Sequence, residues 1–234
     1  MSISDNVALA KRNIALAAER AGRRAEDIYL VGATKMNDTA RVREAIAAGL
    51  PICGENRVQE LVQKNAEHAY DGAPLHFIGH LQKNKVKHVV GTASLIHSVD
   101  SLELMDCIGR TAEARGLTQD ILLEVNIGAE EAKSGFAPGD IPAALAHASA
   151  VKGIFVRGLM AIPPICADGE ENRPYFKLMN QLFIDNSEKK YDNVSMDFLS
   201  MGMSGDYMTA IDCGANMVRL GTAIFGARNY AKAD

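Results

Sequence analysis

Two blocks near the C-terminus read Phe198-Leu-Ser-Met-Gly-Met-Ser-Gly-Asp206 and Met217-Val-Arg-Leu-Gly-Thr-Ala-Ile-Phe-Gly226. Each block has the pattern of a short apolar strand that stops at a glycine and leads through small or hydroxylated residues into a helix. Turns of this kind present backbone N–H groups and hydroxyls to a phosphate. Arg219 lies inside the second apolar run, where a cation is costly unless it faces a polar partner such as a ligand. The two blocks therefore predict strand-helix units that carry a phosphate-binding site.

The same alternation of strand and helix runs through the whole chain. The apolar runs show little period-two alternation, which is typical of parallel strands buried on both faces. The predicted strands are 28–34, 51–54, 75–79, 94–99, 120–126, 155–160, 197–201 and 217–221. The predicted helices are 38–48, 56–69, 82–90, 101–115, 139–150, 171–189 and 204–213, with an amphipathic stretch at about 5–22 before the first strand.

Eight such units in roughly 200 residues fit a single closed (β/α)8 barrel of the TIM type with an additional N-terminal helix. An open doubly wound sheet is the alternative, but it fits less well because no G-x-G-x-x-G sequence opens a helix. Only 161–170 reads as a longer irregular loop, and no linker or low-complexity tract divides the chain. We expect an α/β protein with one domain over 1–234. We also expect a monomer, because a closed barrel leaves no free sheet edge.

Composition argues against several classes of protein. The 234 residues are 47% hydrophobic and 23% charged with a net charge of −4, which is typical of a soluble globular protein and argues against nucleic-acid binding as the main function. No apolar run reaches the roughly 20 residues that span a bilayer, and the N-terminus lacks signal-peptide features. Four dispersed cysteines favour a reducing cytoplasm. His76 and His80 have no carboxylate at ligand spacing, so we expect no metal site.

Polar residues follow the predicted strands at their C-terminal ends, where barrels of this type place binding and catalytic residues. Lys35 closes the first strand. A partly desolvated lysine has a lowered pKa and the neutral amine that a Schiff base requires. Closure of the barrel pairs strand one with strand eight, so we expect Lys35 beside Arg219 and the Gly221-Thr222 turn. An amine next to a phosphate cradle is the arrangement that holds pyridoxal 5′-phosphate.

Arg219 would then face the pyridine nitrogen of that cofactor. Because an arginine cannot give up its proton, it would hold the nitrogen unprotonated. The ring would be a weaker electron sink than one paired with a carboxylate. Two alternatives remain open: Lys35 as an ordinary lysine that reaches solvent, and Arg219 as the partner of a carboxylate inside the barrel mouth.

Further blocks with matching order and spacing cover almost the whole chain. They are 30–35, Gly54-Glu-Asn-Arg-Val-Gln-Glu60, His76-Phe-Ile-Gly-His-Leu-Gln82 with Asn84-Lys85, His97-Ser-Val-Asp100, Val125-Asn-Ile127 with Lys133-Ser-Gly135, and Arg157-Gly-Leu-Met160. Together with the two C-terminal blocks, they closely resemble the pyridoxal phosphate homeostasis proteins, the bacterial YggS and eukaryotic proline-synthase co-transcribed family.

This resemblance implies a barrel like the N-terminal domain of alanine racemase. It implies pyridoxal 5′-phosphate on Lys35 as an internal aldimine, with Arg219 at the pyridine nitrogen, hydroxyls and backbone of the C-terminal blocks at the phosphate, and an asparagine near the ring. The residues expected to bind the cofactor are Lys35, Asn56, Ser200, Ser204, Arg219, Gly221 and Thr222. The chain departs from the family in three places. Met36-Asn37-Asp38 replaces a frequent second lysine and proline, Arg57 replaces a tyrosine, and His80 replaces a proline in many members.

Two functions follow as hypotheses. The first is a non-catalytic carrier or regulator of pyridoxal phosphate that affects amino-acid and keto-acid balance, with apo-enzymes that need this cofactor as its partners. The support for it is that the chain ends at Asp234 without the second, β-rich domain that supplies a tyrosine base in racemases of this type. The second is a true enzyme, either an amino-acid racemase or a Schiff-base lyase.

Overall fold

Eight parallel strands form one closed barrel in the computed structural model, which describes residues 1–130, 134–188 and 190–227. The strand order follows the chain, and the last strand closes onto the first with Arg219 opposite Val31. The predicted TIM-type barrel is therefore confirmed. Its strands are β1 (Tyr29–Ala33), β2 (Ile52–Glu55), β3 (Leu75–Phe77), β4 (Leu95–Val99), β5 (Gln119–Val125), β6 (Ile154–Ala161), β7 (Val194–Ser200) and β8 (Met217–Leu220).

Helices follow the strands and cover the outside of the barrel. They are α1 (Ile3–Arg20), α2 (Thr39–Ala47), α3 (Val58–Ala66), α4 (Val86–Val89), α5 (Leu102–Glu113), α6 (Ile141–Ala148), α7 (Arg173–Ser187), α8 (Tyr207–Asp212) and α9 (Thr222–Phe225). The predicted helix 82–90 is instead a 3₁₀ turn (Lys83–Lys85) followed by α4. Lys189 of the predicted helix 171–189 and Lys133 of the matching blocks lie outside the described residues. Within the described ranges, no helix combines the length and apolar character needed to cross a membrane.

Short polar side chains cap the beginnings of α1 and α2. Ser2 and Asp5 form a reciprocal capping box at the start of α1. The Asp38 side chain accepts a hydrogen bond from the Arg41 N–H at 2.8 Å and so starts α2 three residues after Lys35. A carboxylate at this position satisfies an N–H group that the helix leaves unpaired. The chain therefore turns sharply after β1, and Lys35 stays at the barrel mouth.

Two hydrophobic clusters make up the core. The larger one lies between the strands and the surrounding helices. The smaller one fills the barrel interior and consists of Val31, Ala33, Ile52, Ile78, Leu95, Leu122, Met160 and Met217. Several polar side chains are also buried among the strands, and His76, His97 and Arg219 are the largest of the basic ones. Because unpaired polar groups are costly in such a place, their partners are central to the site.

Candidate functional site

Lys35 follows β1 at the mouth of the barrel and is half-buried. The residue before it, Thr34, is fully buried, and its N–H donates to the Gly54 carbonyl at 2.8 Å. The residue after it, Met36, has a φ of 60°, which is uncommon for a residue with a side chain. Lys35 is thus held between a buried residue and a left-handed turn, with its side chain lining a cavity.

Arg219 projects from β8 into the barrel and is only 4% exposed. Its guanidinium donates to Ser200 Oγ at 2.5 Å and to the Ala161 carbonyl at 2.9 Å. Burial lowers the pKa of Arg219 to about 10, while the nearby Glu124 and Asp206 oppose this shift. Arg219 remains a cation at neutral pH, and in the described part of the chain it forms no ion pair. The alternative of a direct carboxylate partner is not seen there.

A chain of neutral groups continues behind Arg219. His97 Nδ1 lies 3.0 Å from Ser200 Oγ, and His97 Nε2 lies 2.9 Å from His76 Nδ1. Burial lowers the pKa of His76 to about 4. Burial also holds the pKa of His97 well below its usual range, and the nearby His76 and Arg219 lower it further. Both imidazoles are therefore neutral near pH 7. Because the guanidinium can only donate, the Ser200 hydroxyl accepts from Arg219 and can donate its own hydrogen bond to His97 Nδ1, which completes a continuous hydrogen-bonded chain.

The loops after β7 and β8 meet at Ser204. Its Oγ accepts hydrogen bonds from the N–H groups of Gly221 and Ala223, at 3.1 and 3.2 Å. Gly221 has a φ of −106°, and a Cβ there would make only an ordinary contact with Ala33 at 3.6 Å. Protein packing therefore does not require a glycine at this position. The missing side chain leaves the backbone at the end of β8 as part of the cavity wall.

Asn56 lies on the opposite side of this space, directly after β2. A Cβ on Gly79 would lie 2.0 Å from the Asn56 carbonyl oxygen, so only glycine allows the two backbones to approach this closely. Asn56 Oδ1 is buried and accepts no hydrogen bond in the described structure. A buried acceptor without a donor is unfavourable, which indicates that a ligand or water supplies one.

One cavity of about 270 Å³ connects these elements. Six of the seven predicted site residues line it: Lys35, Asn56, Ser204, Arg219, Gly221 and Thr222. Ser200 differs from the expectation. It is fully buried and does not line the cavity, because its hydroxyl is engaged by Arg219 and His97.

A second cavity of about 310 Å³ adjoins the first and shares Asn56, Ile78 and Ile162 with it. Glu124 lines this second cavity, and burial, followed by the nearby Asp100, raises the pKa of its carboxyl. His80 stands at the same mouth, with Nδ1 3.2 Å from Asp100 Oδ2. A buried carboxyl with a raised pKa in a cavity is a candidate for proton exchange with a ligand.

Sequence reasoning assigned no role to His97, Glu124 or the ionic cluster of Glu55, Glu60 and Lys64 behind Lys35. The i, i+4 spacing of Glu60 and Lys64 was a usable signal for a pair on one helix face. That spacing usually marks a solvated face, whereas Lys64 is buried. His97 lies inside an apolar run, where its burial was predictable but its partners were not.

The comparisons with known proteins agree with this geometry. The family model for the N-terminal domain of alanine racemase matches residues 6–229. A pyridoxal phosphate homeostasis protein of Aquifex aeolicus is 40% identical over 230 residues, which are 98% of this chain and 100% of that protein. The chain belongs to this family. A second member, from Pseudomonas aeruginosa, is 38% identical over 229 residues, 98% of this chain and 97% of its own.

A solved structure of the family adds a ligand. PipY of Synechococcus elongatus, whose structure has PLP bound, is 31% identical, with a TM-score of 0.80 over 96% of this chain and 100% of that one. The predicted family is thus confirmed together with the fold.

Proposed function

We propose that this chain binds pyridoxal 5′-phosphate through Lys35 and takes part in the intracellular homeostasis of that cofactor. The observation that carries the proposal is the cavity of about 270 Å³, which brings a lysine amine, a buried arginine and the Ser204–Gly221 turn together. The names of the relatives and the PLP-bound structure of PipY support the choice of cofactor.

The residues present fit this cofactor. Gly221 and Asn56 both line the cavity, protein packing does not require a glycine at 221, and the buried Asn56 Oδ1 has no hydrogen-bond donor in the described part of the chain. When bound, pyridoxal phosphate supplies an aldehyde for a lysine amine and an electron-withdrawing pyridine ring. The fold thus provides one group for each functional part of the molecule.

Each residue has a defined task in the proposal. Lys35 would supply the amine that holds the cofactor through its aldehyde carbon, with the carbonyl oxygen leaving as water. Arg219, whose guanidinium stays charged, would donate a hydrogen bond to the pyridine nitrogen and leave it unprotonated. Ser204, Gly221 and Thr222 bind the phosphate, and Asn56 lies near the ring. Ser200 supports Arg219 from behind.

We further propose that the chain is a carrier with weak or no catalytic activity. A ring nitrogen held by a cation withdraws electrons less strongly than a protonated one, which suits storage better than turnover. The recipients would be apo-enzymes that need this cofactor. We also propose that the protein is a monomer, that residues 1–234 form one domain and that the protein acts in the cytoplasm.

One observation favours a second candidate, a racemase or Schiff-base lyase. Glu124 lies in the adjoining cavity with a raised pKa, so it could exchange a proton with a ligand bound there. Incubating the loaded protein with single-enantiomer amino acids in D₂O separates the two functions. A carrier incorporates deuterium at Cα no faster than free cofactor. An enzyme exceeds that rate and loses the excess on Glu124→Gln.

The binding proposal is tested by reducing the protein with borohydride in the presence of pyridoxal phosphate and mapping the modified peptide by mass. We expect a visible absorbance band before reduction and one added pyridoxyl phosphate on Lys35 after it, both absent in Lys35→Ala. Substitution of the exposed Lys87 by Ala is the matched control and should keep both signals. No modification of the wild-type protein at excess cofactor would overturn the proposal.

A further inference from the structure

A buried ionic cluster lies directly behind Lys35 and has no task in the function proposed above. It consists of Glu55 at the end of β2, and Glu60 and Lys64 on α3. Glu55 is fully buried, and Lys64 is only 6% exposed. Charges in such a place are costly unless they are paired and hydrogen-bonded, so their arrangement calls for an explanation.

Lys64 donates in three directions. Its Nζ lies 2.8 Å from each of three oxygens: Glu55 Oε2, Glu60 Oε2 and the carbonyl of Thr34. An ammonium group has three protons, so all of its donor capacity is used within the protein. The third acceptor is the important one, because the Thr34 carbonyl belongs to the peptide bond that precedes Lys35.

Glu60 binds the chain on the other side of Lys35. Its Oε2 accepts a hydrogen bond from the Met36 N–H at 2.8 Å, and this N–H belongs to the peptide bond that follows Lys35. Burial alone would raise the pKa of Glu60, but hydrogen bonds from Lys64 and the Met36 N–H hold it below its usual range. The carboxylate is therefore ionised and accepts strongly, which supports the left-handed conformation of Met36.

Glu55 links this arrangement to the opposite wall of the cavity. Its Oε2 accepts hydrogen bonds from Thr34 Oγ1 at 3.0 Å and Tyr70 OH at 3.3 Å, in addition to Lys64. Its Oε1 accepts from the Asn56 N–H at 2.7 Å. One cluster thus holds the backbone of both Lys35 and Asn56.

We propose that Glu55, Glu60 and Lys64 are positioning residues that clamp both peptide bonds of Lys35 and so aim its amine into the cavity. This inference rests on the proposed role of Lys35 in binding pyridoxal phosphate. A mispositioned nucleophile binds its target less well even when its chemistry is intact. The clamp should therefore control the affinity for the cofactor without touching it.

Glu60→Ala tests the clamp, because Glu60 is partly accessible and its loss spares the fully buried Glu55. Glu67→Ala is the matched control: it removes the same charge just beyond the same helix, and its contacts are with Thr39 and Gln63 rather than with the chain at Lys35. Glu60→Gln is the rescue variant, since its amide oxygen can still accept from the Met36 N–H.

Two measurements are made below the melting temperature of every variant. The first is the concentration of pyridoxal phosphate that half-saturates borohydride labelling of Lys35. We expect it to rise about tenfold in Glu60→Ala, to stay within about twofold in Glu67→Ala and to return within about threefold in Glu60→Gln. The second is the exchange rate of the Met36 amide proton in the cofactor-free protein, measured by NMR, which should rise about tenfold in Glu60→Ala only.

The two measurements separate the failure of this inference from the failure of the proposed function. If wild-type protein labels at Lys35 but Glu60→Ala half-saturates at the wild-type concentration, the clamp is overturned and the cofactor proposal stands. If wild-type protein does not label at all, the cofactor proposal falls. The exchange rate of the Met36 amide proton then still tests whether the cluster holds the Lys35 backbone. An unchanged rate in Glu60→Ala would overturn that part of the inference as well.

Discussion

Two buried polar structures support the candidate site, and they differ in charge. Behind Lys35, one cation is paired with two carboxylates within hydrogen-bonding distance. Behind Arg219, the chain through Ser200, His97 and His76 contains only neutral groups. The charge of Lys64 is therefore paired with carboxylates inside the protein. Arg219 donates only to neutral oxygens of Ser200 and Ala161, so its charge stays available to a ligand in the cavity. A buried cation without a carboxylate partner is the mark of a group kept for a ligand.

Removing the cation of the ionic cluster should have the largest effect on stability. Lys64→Met leaves Glu55 buried without its partner, and we expect the free energy of unfolding to fall by about 3–5 kcal/mol. Urea unfolding monitored by circular dichroism measures this loss. The double variant Glu55→Gln/Lys64→Met should recover part of it, and the exposed Lys87→Met should be nearly neutral. A loss below about 1 kcal/mol in Lys64→Met would mean that the cluster is not tightly coupled.

The neutral chain should respond to pH. Burial lowers the pKa of His76 from 6.5 to about 4, so protons bind the unfolded state first as the pH falls below 6.5. The stabilisation is complete above that pH and is lost toward pH 4. At about 1.4 kcal/mol per pKa unit, the stabilisation lost between these pH values amounts to about 3 kcal/mol. The difference between the unfolding free energies at pH 7 and pH 4.5 should be larger for wild-type protein than for His76→Gln. The exposed His68→Gln should behave as wild type. An equal change of unfolding free energy with pH in wild type, His76→Gln and His68→Gln would exclude a buried neutral His76.

Removing a single hydroxyl should have the smallest effect on stability. The comparison of Ser200 with Ser204 distinguishes a residue of the buried neutral chain from a residue of the cavity wall. Ser200→Ala removes one hydrogen-bond partner from each of the buried Arg219 and His97 and should cost about 1–3 kcal/mol of unfolding free energy. Ser204→Ala removes a half-buried hydroxyl and should cost less than about 1 kcal/mol. The affinity for pyridoxal phosphate should fall in both. Thermal melting with and without the cofactor measures both effects, and a larger stability loss in Ser204→Ala would reverse these assignments.

The barrel and the pairing of its first and last strands could be predicted, because repeated apolar runs and helix caps are local signals. Closure of the barrel then brought Lys35 and Arg219 to one cavity. The supporting residues could not be predicted in the same way. Lys64 has the spacing of a surface lysine, and only the position of α3 against β1 and β2 buries it. The contact between His76 and His97 depends on the register between β3 and β4, which no local pattern determines. The resemblance places Ser200 at the phosphate, whereas the direction of its hydroxyl toward Arg219 and His97 depends on tertiary packing that no local pattern determines.

Closure of the barrel has a consequence for biosynthesis. The cavity combines Ala33 and Lys35 from the beginning of the chain with Arg219 and Gly221 from its end, so it cannot exist while the ribosome has delivered only the first seven strands. Contacts of such long sequence separation form late and slowly in folding. A ligand that requires this cavity binds only the finished barrel and stabilises it by mass action. The supply of vitamin B6 during synthesis should therefore influence how much of the newly made protein reaches its native state.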